Sequence, residues 1–168
     1  MHPATALTRK SATPSPEGAR TFCTFRLGQS LFGIDIGLVK EVTTLTPLTP
    51  IPHAPAAAAG YVNLRGHVHL VLDLKRLLGL GATQPGPESL LVVFKPALGD
   101  PFGVLADRVG DIVSLRQDQI EESGSAEATA PHGGLVSGLG KLDGELLVLL
   151  DARKFLPAPR QAPPAATP

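Results

Sequence analysis

The chain of 168 residues repeats itself, and the repeat limits its fold more than any other feature. "FGIDIGLVKEV" (32–42) lies over "FGVLADRVGDI" (102–112) without a gap, setting Phe32 on Phe102, Gly33 on Gly103, Val39 on Val109 and Glu41 on Asp111. Just upstream, Phe25-Arg26 matches Phe94-Lys95. Downstream, "HLVLDLKRLL" (69–78) matches "LLVLLDARKFL" (146–156), with Asp73 over Asp151 and Arg76 over Lys154. The register slips by eight residues between the two blocks, and an extra loop in the second copy can hold the difference. The chain therefore reads as two similar halves of roughly 60 residues. Each has a hairpin, a turn with an acid, a second hairpin and a short closing helix.

A half of that size buries too little surface to be stable alone. Closing five or so short strands into a small barrel removes exposed edges. Packing two such barrels together then buries the apolar faces left over. Hydrophobic residues make up 43% of the chain and aromatics only 4%, so the shared interior must be aliphatic, built of Leu and Val.

The expected elements follow the punctuation. "TFCTFRLG" and "SLFGIDI" form a hairpin, and "GLVKEV" (37–42) makes a helical turn or two. "TTLTPLTPIP" (43–52) is extended edge chain, "APAAAAG" (54–60) a brief helix or turn, and "SLLVVFKPA" (89–97) a buried strand. Residues 1–19 and 158–168, rich in Pro, Ala, Ser and Thr, are expected to be disordered tails flanking one folded region over 20–157.

Charge and cysteine content exclude several classes. Fifteen basic residues balance fifteen acidic ones, which disfavours nucleic-acid binding and gives no support for docking on anionic lipid. A lone Cys23 cannot form an internal disulfide, so a reducing compartment, the cytoplasm, is expected. No apolar run reaches the ~18–20 residues that span a bilayer, so no direct membrane insertion is expected.

No constellation for catalysis stands out. "SGLGKL" (137–142) fails as a phosphate loop because Leu135 and Leu142 occupy positions that need Gly and Ser or Thr; it reads as a glycine-rich hairpin turn. His67 and His69 share a strand face at metal-compatible spacing, with His53 and His132 elsewhere, but no third ligand is evident and exposed strand histidines are the expected reading. Asp73 and Asp151 each follow an apolar strand and precede a short helix, so both are expected helix N-caps. Arg65, in the turn of "NLRG", is different: Asn63 and Gly66 already supply the turn propensity. The corresponding place in the second half is read near "SGLG", at Leu139, so the fold tolerates a neutral residue there. Arg65 is then either decoration or part of a recognition surface, with Glu41 as its plausible partner.

Four motifs in order carry a resemblance: "FRLGxxLFGIDIxxVKEV", "GYVNLRGxV…VLDLK", "FGVLADRVGDIVSL" and "SGLGKLDGELLVLLD". Over about residues 21–156 the chain resembles the CheW-like family, the coupling proteins of bacterial chemosensory arrays. That resemblance implies an all-β fold of two pseudo-symmetric five-stranded SH3-like barrels, interleaved along the chain around a shared core, with short helices. It implies an adaptor with no catalytic activity, no cofactor and no metal. Its partners are the cytoplasmic tips of methyl-accepting chemoreceptors, the regulatory domain of a CheA-type histidine kinase, and other CheW-like domains in rings. The receptor-facing positions it implies are Val39, Glu41, Gly60, Arg65 and Gly66. Departures from the family pattern include Leu70, where many relatives have proline, Lys75 for a frequent arginine, and a long polar loop at 121–134. They leave partner choice open between a flagellar chemotaxis system and one serving pilus motility or surface sensing.

Overall fold

A computed structural model describes residues 18–122 and 134–156. The expected tails, apart from Gly18 and Ala19, and most of the polar loop, with His132, lie outside these described residues.

Eleven strands are formed among them: β1 (Arg20–Leu27), β2 (Ser30–Asp35), β3 (Val39–Thr44), β4 (Ala58–Leu64), β5 (His67–Leu72), β6 (Leu90–Phe94), β7 (Phe102–Ala106), β8 (Arg108–Leu115), β9 (Ile120–Glu122), β10 (Val136–Leu142) and β11 (Glu145–Leu150). One α-helical turn, α1 (Leu74–Leu77), follows β5, and short 3-10 turns punctuate the rest. One sheet runs β8-β1-β2-β11-β10-β9 and the other β3-β6-β7-β5-β4.

Laid over each other by the sequence repeat, the two sheets have the same strand order. β8, β1, β2, β11 and β10 of one answer β3, β6, β7, β5 and β4 of the other. Each half therefore gives its leading hairpin to the sheet built on the other half's later strands. The exchange is sealed by parallel pairing, β11 along β2 (Leu147–Leu150 with Leu31–Ile34) and β5 along β7 (Leu70–Leu72 with Phe102–Val104). The result is two interleaved SH3-like barrels, one of them extended by β9.

The apolar runs of β1, β2, β6 and β7 and the end of β11 are buried on both faces. On β6, Leu91 and Val93 enter the interior of the β3–β7 lobe, while Val92 and Phe94 enter the core between lobes. On β11, Leu147 and Leu149 fill the other lobe's interior and Leu150 the shared core. A strand between two dry compartments must be apolar at every position, so period-2 alternation disappears. The shared core gathers residues from both halves, including Phe25, Phe32, Phe94, Phe102 and Phe155. Phe94 stacks on Phe102 at 4.8 Å between ring centroids and meets Phe155 edge-on at 5.8 Å.

Three local expectations need correction. "GLVKEV" divides: Ile36–Leu38 is one 3-10 turn capped by Asp35, and Val39 onward is strand. "APAAAAG" is not helical beyond a turn, because Ala58–Gly60 already pairs with β5. "SGLGKL" is not a turn but strand β10, whose glycines admit its neighbours: a Cβ on Gly138 would stand 2.6 Å from the Glu121 carbonyl oxygen of β9.

Candidate functional site

The turn between β4 and β5 joins Leu64 to His67 through Arg65 and Gly66 alone. Both central residues have positive φ, 52° for Arg65 and 86° for Gly66. This is the signature of the tight hairpin turns whose twist matches that of the strands. The Asn63 side-chain oxygen accepts from the Gly66 amide at 2.9 Å and fixes the turn. Asn, Asp or Gly suits the first position; an arginine there pays a steric cost because its Cβ crowds the following carbonyl. Arg65 and His53 are the two non-glycine residues with positive φ among the described residues.

Glu41 arrives from the opposite edge of the same sheet. β3 and β4 are its two outer strands, and a bulge at Lys40 shifts the β3–β6 register between Val39 and Glu41. The Arg65 guanidinium donates from two nitrogens to the two Glu41 carboxylate oxygens, at 2.7 and 2.8 Å. The fork thus links one edge strand to the turn of the other. Its arginine is open to solvent (73% exposed) and its glutamate half-sheltered (22%). The hydrogen bonds from Arg65 are the main cause holding the Glu41 carboxyl below its ordinary range, and the same contact raises the Arg65 guanidinium.

Of the five expected positions, Glu41, Arg65 and Gly66 come together at this end of the lobe. Val39 lies two residues from Glu41 but is buried in the shared core. Gly60 sits at the far end of β4, five residues and about 17 Å of strand from the turn. There its Cβ would fall 2.7 Å from the Thr49 carbonyl oxygen, where Thr49 and Tyr61 exchange two backbone hydrogen bonds of 2.8 Å. Gly60 therefore lets the proline-rich segment 45–52 strap the edge of β4.

The twin of Arg65 is not Leu139. β10 and β11 join through Asp143 and Gly144, from Leu142 to Glu145, so Asp143 stands at the turn position and Leu139 within β10. The same register that sets Asp73 on Asp151, 78 residues apart, carries Arg65 to Asp143. The second lobe thus bears an acid at both equivalent places, Asp111 for Glu41 and Asp143 for Arg65, and no such fork can form.

The histidines also differ from expectation. His67 is exposed, but His69 is buried, its Nδ1 3.1 Å from the His67 carbonyl oxygen. Near the hairpin end the barrel curves over that face, so equal parity does not give equal exposure. Among the described residues no three His, Cys, Asp or Glu side chains converge as metal ligands. Asp73 and Asp151 act as caps, accepting from the Lys75 and Arg153 amides at 3.1 and 3.0 Å. Asp73 additionally accepts from both the amide and the hydroxyl of Thr83, at 2.9 and 2.7 Å, and so anchors the linker between the halves. The nearest sequence sign of that latch is an isolated threonine in a Gly/Pro-rich stretch. No helix among the described residues is long and apolar enough to cross a membrane.

Known proteins are similar to this chain in sequence and fold. Residues 21–160 match the CheW-like domain family. The chain is 30% identical over 141 residues to the chemotaxis protein CheW of Rhizobium meliloti, covering 84% of this chain and 90% of that protein. It is 35% identical over 146 residues to protein FrzA of Myxococcus xanthus, covering 83% and 86%. The crystal structure of the scaffolding protein TtCheW from Thermoanaerobacter tengcongensis superposes with a TM-score of 0.70 at 28% identity, covering 78% of this chain and 88% of that one.

Proposed function

The chain belongs to the CheW-like family, and from that premise we propose that it is a non-catalytic adaptor of a bacterial chemosensory array. It couples methyl-accepting receptors to the regulatory domain of a CheA-type histidine kinase in the cytoplasm, and other CheW-like domains extend the assembly. Val39, Glu41, Gly60, Arg65 and Gly66 define the receptor-facing region. Arg65 and Glu41 present the polar contact, Gly66 completes the turn, and Val39 and Gly60 shape the backbone beneath.

One observation carries the reading: an arginine occupies a left-handed turn position where glycine would be cheaper, and its guanidinium is held in a bidentate fork yet open to solvent. Strain kept at an exposed, ordered side chain points to a role outside folding. A guanidinium preorganised in this way can meet a carboxylate or backbone carbonyl of a docking helix with little further loss of side-chain freedom.

The test is pull-down of receptor cytoplasmic hairpins and of the kinase regulatory domain by Arg65→Glu and Arg65→Gly variants. Both should fold, lose receptor capture and retain the kinase domain. Undiminished receptor capture by both would remove Arg65 from the site.

A further inference from the structure

The repeat extends upstream of β1. "ATPSPE" (12–17) matches "ATQPGPE" (82–88) with Gln84 alone left over, setting Thr13 on Thr83 and Glu17 on Glu88. Thr83 stands eleven residues before Phe94 on β6, and Thr13 twelve before its twin, Phe25 on β1. The later copy of this segment is the linker that Thr83 latches onto Asp73.

The twin of Asp73 has no such latch among the described residues. Asp73 and Asp151 are placed alike: their amides donate to the carbonyls of Ala57 and Leu135, at 2.7 and 2.9 Å, acceptors again 78 residues apart. Asp73 also accepts from the amide and hydroxyl of Thr83, and its side chain is 7% exposed. Asp151 accepts from the Arg153 amide and Nε, both at Oδ1. Among the described residues its Oδ2 accepts no hydrogen bond, and its side chain is 17% exposed.

Asp151 lines a groove of about 510 Å³ together with Arg20, Gly37, Leu38 and Arg153. The twins of those four, Ser89, Asp107, Arg108 and Lys75, line the corresponding groove of the other lobe. There the linker adds a wall, from Gln84 to Glu88; beside Asp151 the described chain has no counterpart to it. The C-terminal chain cannot repeat the linker's path. Gly79 and Gly81 turn the linker away from α1 with φ of 72° and 100°. Their twins are Pro157 and Pro159, whose rings hold φ near about −65°. The segment that enters β1 at Arg20, itself on the groove's wall, carries no such restriction at Thr13.

We propose that residues 12–17 dock in this groove as a strap, with Thr13 donating to Asp151 as Thr83 donates to Asp73. Oδ2 then gains the partner that its twin has, and Pro14 and Pro16 lessen the chain entropy lost on docking. So bound, the strap ties the start of β1 to the cap after β11 and closes the groove to other extended peptides. It goes beyond the adaptor reading and does not depend on it.

The experiment is backbone NMR on the full chain. In the wild type, Thr13, Ser15 and Glu17 should have order parameters near the ~0.85 of rigid backbone. The Thr13 amide should exchange about tenfold more slowly than that of Thr8. In Thr13→Val, which keeps the shape and loses the hydroxyl, and in Asp151→Ala, the order parameters of Ser15 and Glu17 should fall below about 0.6. Should Asp151→Ala disturb the closing turn, Thr13→Val alters no described element and keeps the test. Order parameters below about 0.6 at residues 13–17 of the wild type, or order there that survives Thr13→Val, would overturn the proposal. Order at residues 157–168 in place of 12–17 would assign the groove to the C-terminal segment, and order lost on dilution would assign it to a second copy; either result overturns it as well.

Discussion

The two lobes share strand order, hairpin exchange and core, and differ at the ends of their second hairpins. The β4–β5 end carries Arg65, buried His69 and an edge strapped by Thr49. The β10–β11 end carries Asp143, buried Leu147 and an edge covered by strand β9. Even the exposed aliphatics correspond, Val68 on β5 and Leu146 on β11, 58% and 55% exposed. What both lobes keep is what closing two small barrels around one core demands. What only one keeps is free of that demand, and the fork belongs to this second set.

The largest effects should come from the shared core, where the lobes are equivalent in kind but not in packing. Phe32 and Phe102 are twins, both buried, yet Phe102 stacks at 4.8 Å on Phe94 while Phe32 meets Phe25 at 6.2 Å. Phe102→Ala should cost about 3–5 kcal/mol in denaturant unfolding, with Phe32→Ala somewhat less. Equal costs would mean that the ring stack adds nothing beyond burial.

The twin glycines sharpen the same contrast at lower cost. A Cβ on Gly103 would stand 2.7 Å from the Val92 carbonyl oxygen, which is backbone and cannot step aside. On Gly33 it would meet only the Leu147 side chain, at 3.2 Å. Gly103→Ala should destabilise by roughly 1–3 kcal/mol and Gly33→Ala by less, measured by thermal unfolding. The reverse order would show that the two parallel junctions are not packed as the repeat suggests.

Much of this was legible in the chain. Phe32, Gly33 and Val39 recur as Phe102, Gly103 and Val109 because two barrels need the same shapes at the same junctions. The exchange of hairpins was not, since a strand buried on both faces reads as the same apolar run whichever sheet receives it. Arg65 stood out by its chemistry, but its twin was misplaced at Leu139 because "SGLG" resembles a turn. Its glycines serve close approach within β10, and the eight-residue slip already led to Asp143. The burial of His69, expected to be exposed like His67, was not legible for a related reason: parity along a strand gives a face, whereas burial near a hairpin end depends on barrel curvature.

The smallest expected effects are electrostatic, and they compare the two lobes directly. Among the described residues each has one bidentate arginine–glutamate pair, at non-equivalent places: Arg65–Glu41 on one side and Arg26–Glu145 on the other, the latter at 2.8 and 3.0 Å. In both, the arginine's hydrogen bonds are the first cause of a lowered glutamate pKa. A carboxyl whose pKa is lower folded than unfolded binds fewer protons in the native state, so its contribution to stability is complete above the unfolded value, near pH 4.3. It is lost as pH falls through the depressed folded value. Glu41→Gln and Glu145→Gln should therefore each lower the melting temperature slightly at pH 7, and the gap to wild type should close on acidification below about pH 4. Salt should shrink the gap for both, and more for Glu145, which is the more exposed carboxylate.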